Sequence, residues 1–218
     1  SIFLGGFVDP QVRANIGDKF PVIYGTTFLR NDNGDIVVDE DGLPQIGSEG
    51  VIGKVSPDFL LGFNTNFEIY KFRIGATFDW KCGGQMYSGT LNTLNYYGTS
   101  MESVESRTAE TFRFSHPAVK QLEDGSYVAN DALSYYDRMT LISEAGIYDS
   151  GFLKLRELSV SYPIWDKNGI NVNLNVFARN IILWSELKGL DPEASQGNNN
   201  MGGGFERFSM PGASSYGF

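Results

Sequence analysis

The chain has 218 residues, enough for one domain or two small ones. Its 26 acidic and 17 basic residues leave a formal charge of −9, which a phosphate backbone repels, so no nucleic-acid partner is expected. One cysteine, Cys82, excludes an internal disulfide and a multi-cysteine metal cluster, and one histidine, His116, leaves little room for histidine-based chemistry.

Residues 1–20 carry no clear pattern, and the chain opens at Ser1 without a charged n-region or an apolar h-region, as in a processed or truncated product. Residues 22–30 read as a short strand. Asn31-Asp-Asn-Gly then turns the chain, Ile36–Val38 returns, and Asp39-Glu-Asp-Gly turns it again. The acidic spacing at Asn31, Asn33, Asp35, Asp39 and Asp41 invites a calcium reading. The EF-hand loop needs Gly at its sixth position and Glu at its twelfth, and neither fits. Two solvated turns are expected there, with no metal and no cofactor.

Residues 59–69 and 72–81 form the clearest element, a strand, a two-residue turn at Tyr70-Lys71 and a second strand. Every second residue is apolar: Phe59, Leu61, Phe63, Phe67 and Ile69, broken only by Thr65, then Phe72, Ile74, Ala76, Phe78 and Trp80. The other face carries Asn64, Asn66, Glu68, Arg73, Thr77 and Asp79. Side chains alternate across a strand, so one face is apolar but for Thr65 and the other mainly polar. A long irregular stretch, 83–151, follows, rich in tyrosines that include Tyr96, Tyr97, Tyr135 and Tyr136. The next strand is 152–162. Its apolar phase slips from Leu153 and Leu155 to Leu158, Val160 and Tyr162, which either a β-bulge near Arg156-Glu157 or passage from an extramembrane section into the membrane, where a different face becomes apolar, would produce. Pro163 and Asn168-Gly169 form a short turn, and 171–183 alternates again, with Val172, Leu174 and Val176 against Asn171, Asn173 and Asn175. A Gly- and Asn-rich loop, 185–212, precedes a last strand at 214–218.

A soluble β-sandwich also alternates, with its apolar face turned into a core. Three features favour lipid instead. The polar faces are Asn, Gly and Thr with occasional charges, not the Lys- and Glu-rich face usual on soluble sheets. Aromatics (Tyr70, Phe72, Trp80, Tyr162, Trp165, Trp184) gather at strand ends, as in interfacial girdles. Short turns alternate with long loops. No apolar run approaches 18 residues, so no membrane helix is expected, whereas barrel strands need none. The expected fold is therefore all-β: an antiparallel transmembrane β-barrel, represented by about five to seven strands with long extracellular loops.

Several segments carry a resemblance. They are Tyr24-Gly-Thr-Thr-Phe-Leu-Arg-Asn-Asp-Asn-Gly-Asp, Pro57-Asp-Phe-Leu-Leu-Gly-Phe-Asn-Thr-Asn-Phe, Phe152-Leu-Lys-Leu-Arg-Glu-Leu-Ser-Val-Ser-Tyr, Phe177-Ala-Arg-Asn and Lys188-Gly-Leu-Asp-Pro-Glu. In this order and spacing the chain resembles the C-terminal part of the SusC/RagA family, TonB-linked outer-membrane transporters of Bacteroidetes. The resemblance spans almost the whole chain, 1–218. It implies a barrel of about 22 strands around an N-terminal plug, of which these residues would be one part, with a last strand running past Phe218. It also implies location in the outer membrane and import of a bulky oligosaccharide or peptide. A SusD-like surface lipoprotein and TonB would be the partners, TonB acting through the N-terminal region.

On that reading Phe63, Phe67, Ile74, Phe78, Val172, Leu174 and Val176 face outer-membrane lipid, and Asn64, Asn66, Thr77, Asn171, Asn173 and Asn175 face the lumen. Tyr96, Tyr97, Tyr135, Tyr136 and Trp184 are the candidates for contact with substrate or partner, because exposed aromatic rings stack on sugars and anchor interfaces. The plainer reading is that these rings pack the loops against each other. Arg156 and Glu157 would project to opposite faces of a regular strand, and Arg179-Asn180 would bond locally to order a strand end. No nucleophile–base pattern, phosphate loop or metal-ligand spacing appears, so no catalytic residue is assigned. The alternative from another class is a soluble β-rich module that binds glycans on aromatic platforms.

Overall fold

The computed structural model describes residues 1–101, 103, 118–129, 139, 141–196 and 203–218. In chain order its strands are β1 (Ile2–Gly6), β2 (Gln11–Ala14), β3 (Val22–Phe28), β4 (Ile36–Val38), β5 (Ile46–Lys54), β6 (Phe59–Ile69), β7 (Phe72–Cys82), β8 (Gln85–Ser88), β9 (Ala118–Gln121), β10 (Tyr127–Ala129), β11 (Ile147–Asp149), β12 (Phe152–Lys167), β13 (Ile170–Ser185), β14 (Phe205–Glu206) and β15 (Ser215–Gly217). Helix α1 (Gly89–Tyr96) follows β8, and a 3-10 turn spans Ser143–Gly146. The chain divides into two compact units, each assembled from three separate stretches.

The first unit comprises Ser1–Ser56, Gln85–Tyr148 and Ser195–Ser209. Its largest sheet is antiparallel, in the order β1-β2-β3-β5. Smaller sheets run β10-β9-β4 and β11-β8-β14. Phe28, Val38, Ala118, Met139 and Ile142 form a core cluster, with Ile36 and Ala145 packed on it. Here three expectations change. The strand expected at 22–30 ends at Phe28 and pairs within this unit's sheet, with Val22, Ile23 and Phe28 buried. Residues 1–20, patternless in sequence, supply β1 and β2. The stretches expected as loops at 83–151 and 185–212 hold short strands and α1. These elements have two to eight residues and show neither alternation nor a helical apolar stripe, so periodicity has nothing to detect.

The segment Tyr24-Gly-Thr-Thr-Phe-Leu-Arg is a structural knot of this unit. Gly25 sits so tightly that a Cβ there would stand 2.5 Å from Asp9 Oδ1 and 2.9 Å from Ser143 Cβ. Thr26 donates through Oγ1 to Asp9 Oδ2 at 2.8 Å, Phe28 N–H donates to Glu144 Oε2 at 2.8 Å, and Arg30 pairs with Glu144 at 2.6 Å.

Helix α1 begins where Ser88 Oγ accepts the N–H of Leu91 at 3.1 Å, an N-cap. Glu206, fully buried, accepts from Ser88 Oγ, from Thr90 Oγ1 at 2.9 Å and from Thr90 N–H at 3.3 Å. A carboxylate at this helix end meets the orphan amides and the positive pole together, which compensates its burial.

The second unit comprises Pro57–Gly84, Asp149–Ala194 and Met210–Phe218. Its five strands form one open antiparallel sheet, β15-β13-β12-β7-β6. The β6–β7 turn has two residues, since Ile69 pairs with Phe72. The strand expected at 152–162 runs on to Lys167, and the one expected at 171–183 occupies Ile170–Ser185. Asn168 and Gly169 alone join them, with φ of 58° and 75°, as a type I′ turn demands. Pro163 does not end β12, because a register shift between Pro163 and Trp165 takes up the missing N–H.

Candidate functional site: the two faces of the five-stranded sheet

The register carries the apolar side chains straight across the sheet. One row reads Phe67, Ile74, Val160, Val176, and the next Phe63, Phe78, Leu155, Ile181. Between them lies the row Thr65, Ala76, Leu158, Ala178 and then Tyr216. Within β12 the phase slip is resolved by a shift against β7 between Leu155 and Glu157. On β13 the matching slip falls at Asn180, whose φ is 56°. Both strands step together, so the apolar face stays continuous. Phe63 and Phe67 are each 56% exposed and Val176 is 49% exposed. Ile74 and Phe78, on the more central β7, are half-buried.

Aromatic rings close this face at both ends. Phe59 meets Trp80 edge-on at 5.0 Å at one end, and Phe72 meets Tyr162 at 4.7 Å at the other. From Leu61 to Ile69 the strand advances about 26 Å, close to the apolar height of a barrel wall once strand tilt is allowed for. Trp184, a candidate for substrate contact, stands opposite Leu153 in the row of Leu61 and Trp80, on the apolar face at a strand end. Its position suits a girdle.

The opposite face is polar. Asn64 donates to Thr77 Oγ1 at 2.8 Å, Asn66 donates to Asn64 Oδ1 at 3.0 Å, and Ser161 donates to Asn175 Oδ1 at 2.5 Å. Asn171, Asn173 and Asn175 are exposed on it. Near the two short turns, this face forms a depression of about 630 Å³ whose lining includes Glu68, Arg73, Trp165, Lys167, Asn173 and Asn175.

At the other end of the polar face lies an ionic cluster that sequence reading missed. Lys154, 1% exposed, places its ammonium 2.7 Å from Asp191 Oδ1 and 2.6 Å from Glu193 Oε2. Arg156 reaches Glu193 through both terminal nitrogens at 2.7 and 2.5 Å, and Asp79 Oδ2 through Nε at 2.6 Å. Glu157 pairs with Arg179 at 3.0 Å. Arg156 and Glu157 were expected on opposite faces; the bulge breaks the alternation and both charges pair on the polar side. Arg179 and Asn180 were expected to bond locally; they bond to Glu157 and to the Ala213 carbonyl instead. The Leu-Arg-Glu-Leu, Ala-Arg-Asn and Asp-Pro-Glu motifs, scattered along the chain, thus meet at one place.

Burial alone would push the Asp191 carboxyl up, but hydrogen bonds from Lys154 and from the Gly212 and Glu193 N–H groups outweigh it and hold it below the ordinary carboxylate range. Glu193 behaves likewise, with Arg156 and Lys154 offsetting its burial. A carboxyl depressed on folding stabilises the fold above its unfolded pKa and loses that contribution as pH falls through its folded one. The urea midpoint is therefore expected to be flat from about pH 6 to 8 and to fall steadily below about pH 4. An equal midpoint at pH 3 and pH 7 would show that the cluster contributes nothing.

Of the remaining candidates, Tyr96 and Tyr97 close helix α1, exposed and edge-on to each other at 5.1 Å. Tyr135, Tyr136 and His116 lie outside the described residues. In the turns that invited calcium, Asn31 Oδ1 accepts the N–H groups of Asn33 and Asp35, and Asp39 Oδ1 those of Asp41 and Leu43, so these oxygens hold their own turns. Among the described residues, no three His, Cys, Asp or Glu side chains are placed to share an ion.

No family model matches the chain. Two TonB-dependent receptors of Formosa agariphila are similar to it: P3 is 27% identical over 198 residues, covering 84% of this chain, and P26 is 23% identical over 208 residues, covering 92%. The chain spans 18% and 19% of the length of those relatives. Solved structures of the RagAB peptide importer share the fold. The closed-closed state gives a TM-score of 0.55 at 18% identity over 90% of this chain, and the open-open state 0.53 at 16% over 95%. The chain covers 22% and 24% of those structures. Sequence and fold together show the resemblance carried by the motifs: these residues are similar to a portion of a SusC/RagA-type TonB-dependent receptor, a β-barrel protein of the outer membrane and not an enzyme.

Proposed function

We propose that these residues form part of the wall and outward loops of an outer-membrane TonB-dependent transporter that imports a bulky nutrient, an oligosaccharide or a peptide. The observation that carries this reading is the apolar face, continuous in register across the sheet and closed by aromatics at both ends. Phe63, Phe67, Ile74, Phe78, Val172, Leu174 and Val176 face lipid on this reading, and Asn64, Asn66, Thr77, Asn171, Asn173 and Asn175 face the lumen. A SusD-like lipoprotein covers the mouth, and TonB acts through an N-terminal region beyond these residues. Tyr96 and Tyr97 present adjoining exposed rings suited to stacking on a sugar or anchoring the lipoprotein, and Tyr135 and Tyr136 keep the same assignment.

Fractionation of the source cells tests this. Peptides of this sequence are expected in the outer membrane, in a band several times heavier than 24.1 kDa, with a lipoprotein co-purifying. Recovery as a soluble 24.1 kDa species would overturn the reading in favour of a β-rich glycan-binding module.

A further inference from the structure

Strand β15 pairs with β13 at only three positions, Phe177 with Gly217, Ala178 with Tyr216 and Arg179 with Ser215. A slip of two residues would leave the same side chains on each face, so alternation alone does not choose between such registers. Yet the segment entering β15 is held at several independent points. Gly212 N–H donates to Asp191 Oδ2 at 2.8 Å. Asn180 Nδ2 donates to the Ala213 carbonyl at 3.1 Å, and Ser214 Oγ donates to the Asn180 carbonyl at 2.7 Å. A Cβ on Gly212 would stand 2.9 Å from both Asn180 Nδ2 and Asp191 Oδ2, so the fit admits only glycine without displacing one of them. Within the strand, the Phe177 ring lies over Gly217, where a Cβ would come 2.6 Å from Cζ.

These holding groups do not themselves float. Asp191 is fixed by the ammonium of Lys154, whose strand is locked into the sheet on both sides. Asn180 is held at the bulge, where its positive φ takes it out of the regular pleat. We propose that the Asp191–Lys154 ion pair and Asn180 form a registration clamp, which catches residues 212–214 and thereby selects one register for β15 among those its side chains would tolerate. The loop motif Asp191-Pro-Glu acts here as a positioning element for a strand that begins 24 residues after Asp191.

Disulfide mapping in the full-length receptor, in a Cys82→Ser background, tests the clamp. The native pair Ala178→Cys/Tyr216→Cys is compared with two slipped pairs, Val176→Cys/Tyr216→Cys and Ala178→Cys/Phe218→Cys. With the clamp intact, oxidation is expected to link only the native pair. Asp191→Asn and Asn180→Ala are each expected to lose most of that product and to yield product in a slipped pair. A merely stabilising role would lower the amount of folded receptor without moving the cross-link. An unchanged cross-link pattern in both variants would overturn the proposal. Should Asp191→Asn fail to fold, Asn180→Ala decides alone, because it leaves every ion pair in place.

Discussion

Replacing Lys154 with methionine is expected to cost about 3–5 kcal/mol of folding stability, because it removes the charge partner from the Asp191 carboxylate, which is held out of water. The ammonium is 1% exposed and serves Asp191 at 2.7 Å and Glu193 at 2.6 Å. Glu193 retains Arg156, whereas Asp191 keeps, among the described residues, only backbone N–H donors. The urea midpoint, followed by tryptophan fluorescence on receptor refolded in detergent, measures the loss. Adding Asp191→Leu is expected to recover much of it, since an apolar pair avoids the desolvation that an orphaned carboxylate cannot. A single variant as stable as the parent would mean that water reaches the cluster freely.

Charge on the apolar face is the second large effect. Val176→Arg is expected to destabilise the inserted receptor by about 2–4 kcal/mol, the cost of a guanidinium near the middle of a barrel's lipid face. Asn175→Arg, one residue along and on the polar face, is expected to change stability by no more than about 0.5 kcal/mol. The contrast is diagnostic because both positions are exposed in the chain itself. In water an arginine at either would be tolerated, so equal, small effects from both would remove lipid from the argument.

The sheet was legible because its strands are long and keep a period of two, and because Tyr70-Lys71 and Asn168-Gly169 leave no choice of pairing partner. The phase slip in β12 pointed to its bulge correctly. The slip in β13 passed unseen, since Ala178, Arg179 and Asn180 read as an ordinary strand end. The first unit was mostly illegible. Its elements are short, and its contacts, such as Asp9 with Thr26 and Glu144 with Phe28 and Arg30, join residues far apart in sequence. The ionic cluster was hidden for the same reason. Lys154 occupies a polar position in an alternating strand, which sequence reads as solvated, and only the fold brings residues 191–193 down to bury it.

The interleaving of the two units has a kinetic consequence. The β6–β7 hairpin can form as soon as it is made, but its next partner, β12, arrives only after some seventy more residues, as the 77-residue separation of Asp79 and Arg156 shows. Closing so long a loop is slow compared with making a hairpin. In the interval β7 offers an open backbone edge and Phe72, Ile74, Phe78 and Trp80 to whatever is nearby, the combination that drives strands of different chains together. That edge stays open to association with other chains until β12 reaches it, so the hairpin is the segment where mispairing during folding is expected to start.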